Sequence, residues 1–106
     1  MDPRTQARYE ARAAIIKALA HPTRLFIVDQ LAAKPHCVCE LTEMIGADMS
    51  TVSKHLALLK AAGIVADDKR GTLVYYRLKT PCVLNFFTCA ESVMEATLQE
   101  RIDVLR

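Results

Sequence analysis

Leu41-Thr42-Glu43-Met44-Ile45-Gly46-Ala47-Asp48-Met49-Ser50-Thr51-Val52-Ser53-Lys54-His55-Leu56-Ala57-Leu58-Leu59-Lys60-Ala61-Ala62-Gly63 is the stretch on which the fold turns. Leu41, Met44 and Ile45 recur at helical spacing and stop at Gly46. Asp48 or Ser50 can cap a second helix, which carries Val52, His55, Leu56, Leu58 and Leu59 and stops at Gly63. A short helix, a turn beside glycine and a second helix make a helix-turn-helix, expected over about residues 39–63. Val52, Leu56, Leu58 and Leu59 are expected to face a core.

Downstream the period changes. Ile64-Val65 and Leu73-Val74-Tyr75-Tyr76 flank the polar segment Asp67-Asp68-Lys69-Arg70-Gly71. β-Branched and aromatic residues around a polar turn with glycine predict a β-hairpin, about residues 64–79. Thr80-Pro81 then reads as a cap with a first-turn proline. The apolar residues from Val83 to Leu105 mark a long terminal helix, about residues 81–105, whose stripe is wide for one surface helix. Upstream, the Ala-rich segment Thr5–Ala20 predicts a helix ended by Pro22, and Thr23–Ala33 predicts another, stopped by Lys34-Pro35. His36-Cys37-Val38-Cys39 is expected to be short and extended. The expected order is α-α-α-α-β-β-α, a mainly α single domain over residues 1–106 with a small β-hairpin. A chain of 106 residues buries only about two-thirds of its unfolded surface, so a homodimer through the first and last helices is a natural way to complete the core.

Composition excludes several classes. The longest uncharged run, Thr80–Ala90, is far shorter than the roughly 20 residues of a membrane span. The N-terminal residues carry Asp2, Arg4, Arg8, Glu10, Arg12 and Lys17 with no apolar core of a signal peptide, so a cytoplasmic protein is expected, with no membrane partner. Four cysteines in a reducing compartment read as metal ligands or redox groups rather than a disulfide framework. No nucleophile–base pairing, Gly-rich phosphate loop or carboxylate–histidine metal motif supports an enzyme or a small-molecule substrate. Charge is uneven: residues 49–80 hold six basic against two acidic side chains, net +4, whereas residues 1–48 are neutral and 81–106 carry −2. A basic middle segment suits a polyanion.

Ala20-His21-Pro22-Thr23-Arg24-Leu25, Cys37-Val38-Cys39-Glu40-Leu41, Ser50-Thr51-Val52-Ser53-Lys54-His55-Leu56, Ala62-Gly63-Ile64-Val65 and Val74-Tyr75-Tyr76-Arg77-Leu78 occur in that order. Together they resemble the ArsR/SmtB family of winged-helix repressors, over about residues 14–78. The resemblance implies a homodimer that binds a double-stranded DNA operator and releases it when an inducer binds. A recognition helix meets DNA with its N-terminal end and exposed face, here Met49, Ser50, Thr51, Ser53 and Lys54. Ser50 and Thr51 could instead cap the helix, and His55 is either a packing histidine or a phosphate contact. Lys69, Arg70 and Thr72 at the hairpin tip resemble the basic wing of the family; Tyr75 and Arg77 are either sheet residues or phosphate contacts.

Cys37 and Cys39 are two apart, which places both thiols on one face only if the segment is extended. Thiolates favour soft ions. The Cys-Val-Cys-Glu-Leu stretch resembles the thiolate site that several family members carry at the start of the first helix of the helix-turn-helix. The third cysteine of one arsenic-sensing branch is replaced by Thr42, and the N-terminal arm lacks the cysteines of cadmium and lead sensors. The terminal segment has no His, which excludes the zinc site of other members. Cys82 and Cys89, two turns apart on the last helix, are then the candidates to complete the site, Cys82 first, with Cys89 either a fourth ligand or a buried apolar residue. His36 is a further possible ligand. Three thiolates suit arsenite or antimonite; four would suit cadmium, lead or zinc. The rival expectation is a redox or reactive-sulfur sensor in which two cysteines close reversibly to a disulfide.

Overall fold

Side-chain acceptors start the first four helices of the computed structural model, which describes residues 1–106. Asp2 accepts the Thr5 N–H at 2.9 Å and opens α1, Pro3–Leu19. His21 Nδ1 accepts the Thr23 N–H at 3.1 Å and opens α2, Pro22–Ala33. Cys37 Sγ accepts the Glu40 N–H at 3.3 Å and opens α3, Val38–Ile45. Asp48 accepts the Thr51 N–H at 2.7 Å and opens α4, Met49–Ala61. Proline stands in the first turn of α1 and α2, where its missing N–H costs nothing. Gly46 ends α3 with φ 78°, the left-handed conformation that lets the chain turn at once into α4.

Three antiparallel strands follow the order β1-β3-β2, with β1 His36–Cys37, β2 Val65–Arg70 and β3 Leu73–Leu78. The hairpin turn is only Gly71-Thr72, with Gly71 at φ 64° and Arg70 opposite Leu73. Asp67 to Arg70, expected as a turn, are strand residues; charge on β2, an edge of the sheet, does not oppose pairing because its outer side meets water. The sheet also has one strand more than the expected hairpin. His36 and Cys37 pair with Tyr76 and Tyr75. Extended structure stops there, and Cys39 lies inside the first turn of α3. The terminal helix begins later than expected, with a 3-10 turn at Pro81–Val83 before α5, Leu84–Val104.

The core joins Leu19, Ile27, Val28 and Leu31 to Leu41, Val52, Leu56, Leu59, Ile64, Val65 and Val83. Leu58 is not part of it: it is 49% exposed. Val52, Leu56 and Leu59 follow the i, i+4, i+7 spacing of the inward face, and Leu58 stands two residues, about 200°, from Leu56. Leu56→Ala is therefore expected to lower unfolding stability by about 2–5 kcal/mol. Leu58→Ala should change it by no more than about 0.5 kcal/mol in the same urea titration.

α1 and α5 are poorly covered. Leu19 is the one buried residue of α1, and α5 has none. Ile16, Phe86, Val93, Met94 and Leu98 are each more than half exposed. A groove of about 440 Å³ between α1, α2 and α5 is lined by Ile16, Leu19, Phe26, Phe86, Phe87 and Met94. The radius of gyration is 16.9 Å, against about 13 Å for a compact chain of this length. No helix is long and apolar enough to cross a membrane.

Candidate nucleic-acid interface and thiol site

The exposed face of α4 is built by its cap. Asp48 accepts both the Thr51 N–H and, at 2.9 Å, the Ser50 hydroxyl. Hydrogen bonds from Thr51 and then Ser50 hold its carboxyl below the usual carboxylate range. Capping thus falls to Asp48, and Ser50 and Thr51 are left with exposed side chains beside Met49, Ser53 and Lys54. All five project from the first turns of α4 into solvent.

Charge sharpens this surface. Of the six basic residues between 49 and 80, Lys60 is held by Asp67 at 3.0 Å and Arg77 by Asp68 at 3.7 Å. No ion pair engages Lys54, Lys69, Arg70 or Lys79. The free cations therefore lie on the exposed side of α4 and on the wing, where Thr72 sits in the tip turn. Arg70 stacks over the ring of Tyr75, with 4.8 Å from guanidinium carbon to ring centroid.

His55, on the same helix, is half-buried. Its Nδ1 accepts the Arg24 Nε–H at 3.2 Å, and its ring lies 4.5 Å from that of His21. Arg24 also donates to the Ala18 carbonyl at 3.1 Å. The His21-Pro22-Thr23-Arg24 motif so ties the end of α1 and the start of α2 to the recognition helix. His55 packs on His21 and Arg24 in this arrangement. Burial, then the neighbouring His21 and Arg24, hold its pKa below the ordinary 6.5. A base whose pKa is lowered by folding stabilises the fold while neutral and loses that contribution as acid protonates it. Unfolding temperature should hold steady above about pH 6.5 and fall below it. Carboxylates with lowered pKa, Asp2, Glu40 and Asp48, add their own loss only at more acidic pH, below about 4.5. His55→Gln should flatten the step between these two ranges, measured by thermal melts at fixed ionic strength.

Cys37 and Cys39 converge, though by a different geometry from a continuous strand. Cys37 is extended at φ −77°, ψ 161° and caps α3, so its sulfur folds back over the first helical turn, where Cys39 stands. The two are joined by a disulfide, with Cα atoms 5.3 Å apart. Cys37 is buried and Cys39 is exposed. Glu40 Oε1 lies 3.4 Å from the Cys37 sulfur, and its other oxygen takes a 2.7 Å hydrogen bond to His36 Nδ1. His36 is thereby committed to Glu40, whose pKa is lowered chiefly by that bond. His36 and Glu40 are the neighbours that the reading of the cysteines missed as a pair. Their signal was available: Cys37-x-x-Glu40 has the spacing of a capping box, with cysteine in the serine position. Cys82, in the 3-10 turn, and Cys89, on α5, are both free and exposed. The chain folded alone does not bring either to the Cys37–Cys39 pair: no cluster of three or more His, Cys, Asp or Glu residues is placed to hold a metal. Cys89 is exposed on α5 of the single chain.

Residues 21–67 match the model of the bacterial regulatory protein, arsR family. The uncharacterized HTH-type transcriptional regulator Rv0081 of Mycobacterium tuberculosis is 32% identical over 98 residues, covering 92% of this chain and 86% of its own. Its crystal structure superposes with a TM-score of 0.79 at 29% identity, over 96% of this chain and 99% of that one. The cadmium resistance transcriptional regulatory protein CadC of Listeria innocua is 37% identical over 83 residues, 77% of this chain and 70% of its own. A homodimeric winged helix-turn-helix DNA-binding domain from Mycobacterium bovis, solved by NMR, superposes with a TM-score of 0.78 at 31% identity, over 94% of this chain and 93% of that one. With two capped helices meeting at Gly46, a basic wing, and these similarities along most of its length, the chain belongs to the ArsR family and is a DNA-binding transcriptional regulator of winged helix-turn-helix fold, not an enzyme.

Proposed function

We propose that the chain is a cytoplasmic, homodimeric repressor that releases its operator when a thiophilic metal or metalloid is captured by Cys37 and Cys39. The observation that carries this is the meeting of the two sulfurs at the cap of α3, the first helix of the DNA-reading unit. Once the bond is reduced, the two thiolates are soft donors at one point and fit a thiophilic ion. Cys82 or Cys89, both accessible on the terminal segment, would supply a third thiolate from either protomer. Arsenite or antimonite is the favoured class on a three-thiolate count, and cadmium, lead or zinc would follow if all four cysteines bind. The name of the cadmium resistance relative supports the broader metal-responsive reading.

Chemistry at the cap explains the coupling. With the disulfide formed, the Cys37 sulfur accepts the Glu40 N–H, and a free thiolate there would accept it more strongly; a sulfur engaged by an ion is a weaker acceptor, so ion capture would cost the first turn of α3 its cap. The dimer is supported by the open apolar faces of α1 and α5, by the radius of gyration, and by the homodimeric neighbour. DNA binding would use Met49, Ser50, Thr51, Ser53 and Lys54 on α4, and Lys69, Arg70 and Thr72 on the wing.

A second reading has its own observation, the Cys37–Cys39 bond itself. Here the two thiols give up two protons and two electrons to a peroxide or a sulfane-sulfur oxidant and form the disulfide, which thiols reverse. The two readings separate in one preparation. Reduced protein titrated with arsenite and with cadmium should develop thiolate-to-metal absorbance that saturates at one ion per site. Absent saturation, with a loss of two thiols per chain under mild peroxide, assigns the switch to redox chemistry instead.

A further inference from the structure

One face of the sheet connects the thiol site to the wing. Cys37 stands directly opposite Tyr75 across the β1–β3 ladder, and directly opposed residues project to the same face. On the other side of β3, Arg70 opposes Leu73, two residues before Tyr75 and so on that same face. Arg70 and Tyr75 are thus diagonal neighbours, a separation that long and aromatic side chains span. They do span it, with the Arg70 guanidinium 4.8 Å from the Tyr75 ring centroid. Tyr75 is half-buried and makes no side-chain hydrogen bond, so its ring is held by this stacking and by the ladder. β1 is only two residues long and pairs with β3 alone. Any change in the backbone at Cys37 therefore bears on the cap of α3 and on the register partner Tyr75 together.

We propose that Tyr75 is a positioning residue that carries the state of Cys37 to the wing, by presenting Arg70 to the DNA backbone in one state and releasing it in the other. The proposal rests on the Cys37–Cys39 switch described above. It adds a second route out of that site. The cap of α3 acts on the recognition helix, and the ladder from Cys37 through Tyr75 acts on the wing. Arg70 is exposed, has no carboxylate partner, and is oriented by the aromatic face alone. Phe in place of Tyr75 keeps that face, whereas Leu keeps apolar bulk in the strand and removes it.

The test uses a DNA duplex selected from a random library by the reduced wild-type protein. Its affinity is measured with and without arsenite, and with and without diamide oxidation. The readout is the ratio of dissociation constants in the switched and reduced states. Tyr75→Phe should keep the wild-type ratio. Tyr75→Leu and Arg70→Gln should each shrink it by about two- to fivefold per wing, the scale of one exposed cation–aromatic contact. Their combination should shrink it no further than Arg70→Gln alone. A merely structural role for Tyr75 would weaken both states equally and leave the ratio unchanged; that result overturns the proposal. Should Tyr75→Leu fail to fold, Arg70→Gln decides alone, and an unchanged ratio there overturns it as well. A wild-type protein that switches with neither arsenite nor diamide removes the sensor reading, and this inference with it. A switching wild type with unchanged variants removes this inference only.

Discussion

Cys37→Ser and Cys39→Ser each retain operator binding and lose release by arsenite and cadmium. Serine is an even better N-cap acceptor than cysteine, so Cys37→Ser preserves the bond to the Glu40 N–H and with it the start of α3. Cys39 is exposed, and its replacement disturbs no core. Serine is a poor ligand for a soft ion and forms no disulfide. The coupling between inducer and DNA, about 1–3 kcal/mol or five- to 150-fold for a typical allosteric pair of sites, should fall to none in both variants. Cys82→Ser should weaken release strongly, because two thiolates alone hold an ion loosely, and Cys89→Ser should matter less unless the ion is four-coordinate. Reporter induction in the four single variants checks this series. Normal induction in the Cys37 and Cys39 variants would move the sensor to the terminal helix.

The second large effect is on DNA affinity. Lys54 and Arg70 lie on separate elements, α4 and β2, and neither has an ion-pair partner that its removal would orphan. Lys54→Ala with Arg70→Ala should leave the melting temperature close to wild type, as surface changes do. Each lost phosphate contact lowers the slope of log affinity against log salt by about one, so the proposed dimer, with four contacts removed, should lose about four. Anisotropy titrations between 50 and 200 mM salt, about the range over which such contacts show, measure that slope. Unchanged affinity and slope in the double variant would misplace the DNA face.

The helix-turn-helix and the wing were legible because their signals are local. Caps at Asp48, glycines at 46, 63 and 71, and the change of period after Gly63 each specify a neighbour within a few residues. Features that depend on distant partners were not. β1 is too short for any periodicity, and its partner strand lies nearly forty residues away. Arg24 and His55 are 31 residues apart, so no spacing could decide whether the histidine packs or binds phosphate. Leu58 sits in an Ala-Leu-Leu run where composition alone assigns every leucine inward; three-dimensional packing on Val52, Leu56 and Leu59 leaves it outside. The thiol pair was found for an incomplete reason. A strand would have aligned the two sulfurs by its period of two, whereas the protein aligns them by letting one cysteine cap the helix that contains the other.

On this reading Cys37 is both helix cap and sensor, and anisotropy of labelled operator reports on both roles at once. Reduced protein is bound to the selected duplex and titrated with arsenite, then with excess dithiol, with diamide as a parallel arm. Anisotropy should fall to that of free DNA as the Cys37–Cys39 pair is engaged, and recover when the dithiol withdraws the ion or reduces the bond. Anisotropy that stays at the bound value while absorbance and thiol counts show both cysteines engaged would contradict it.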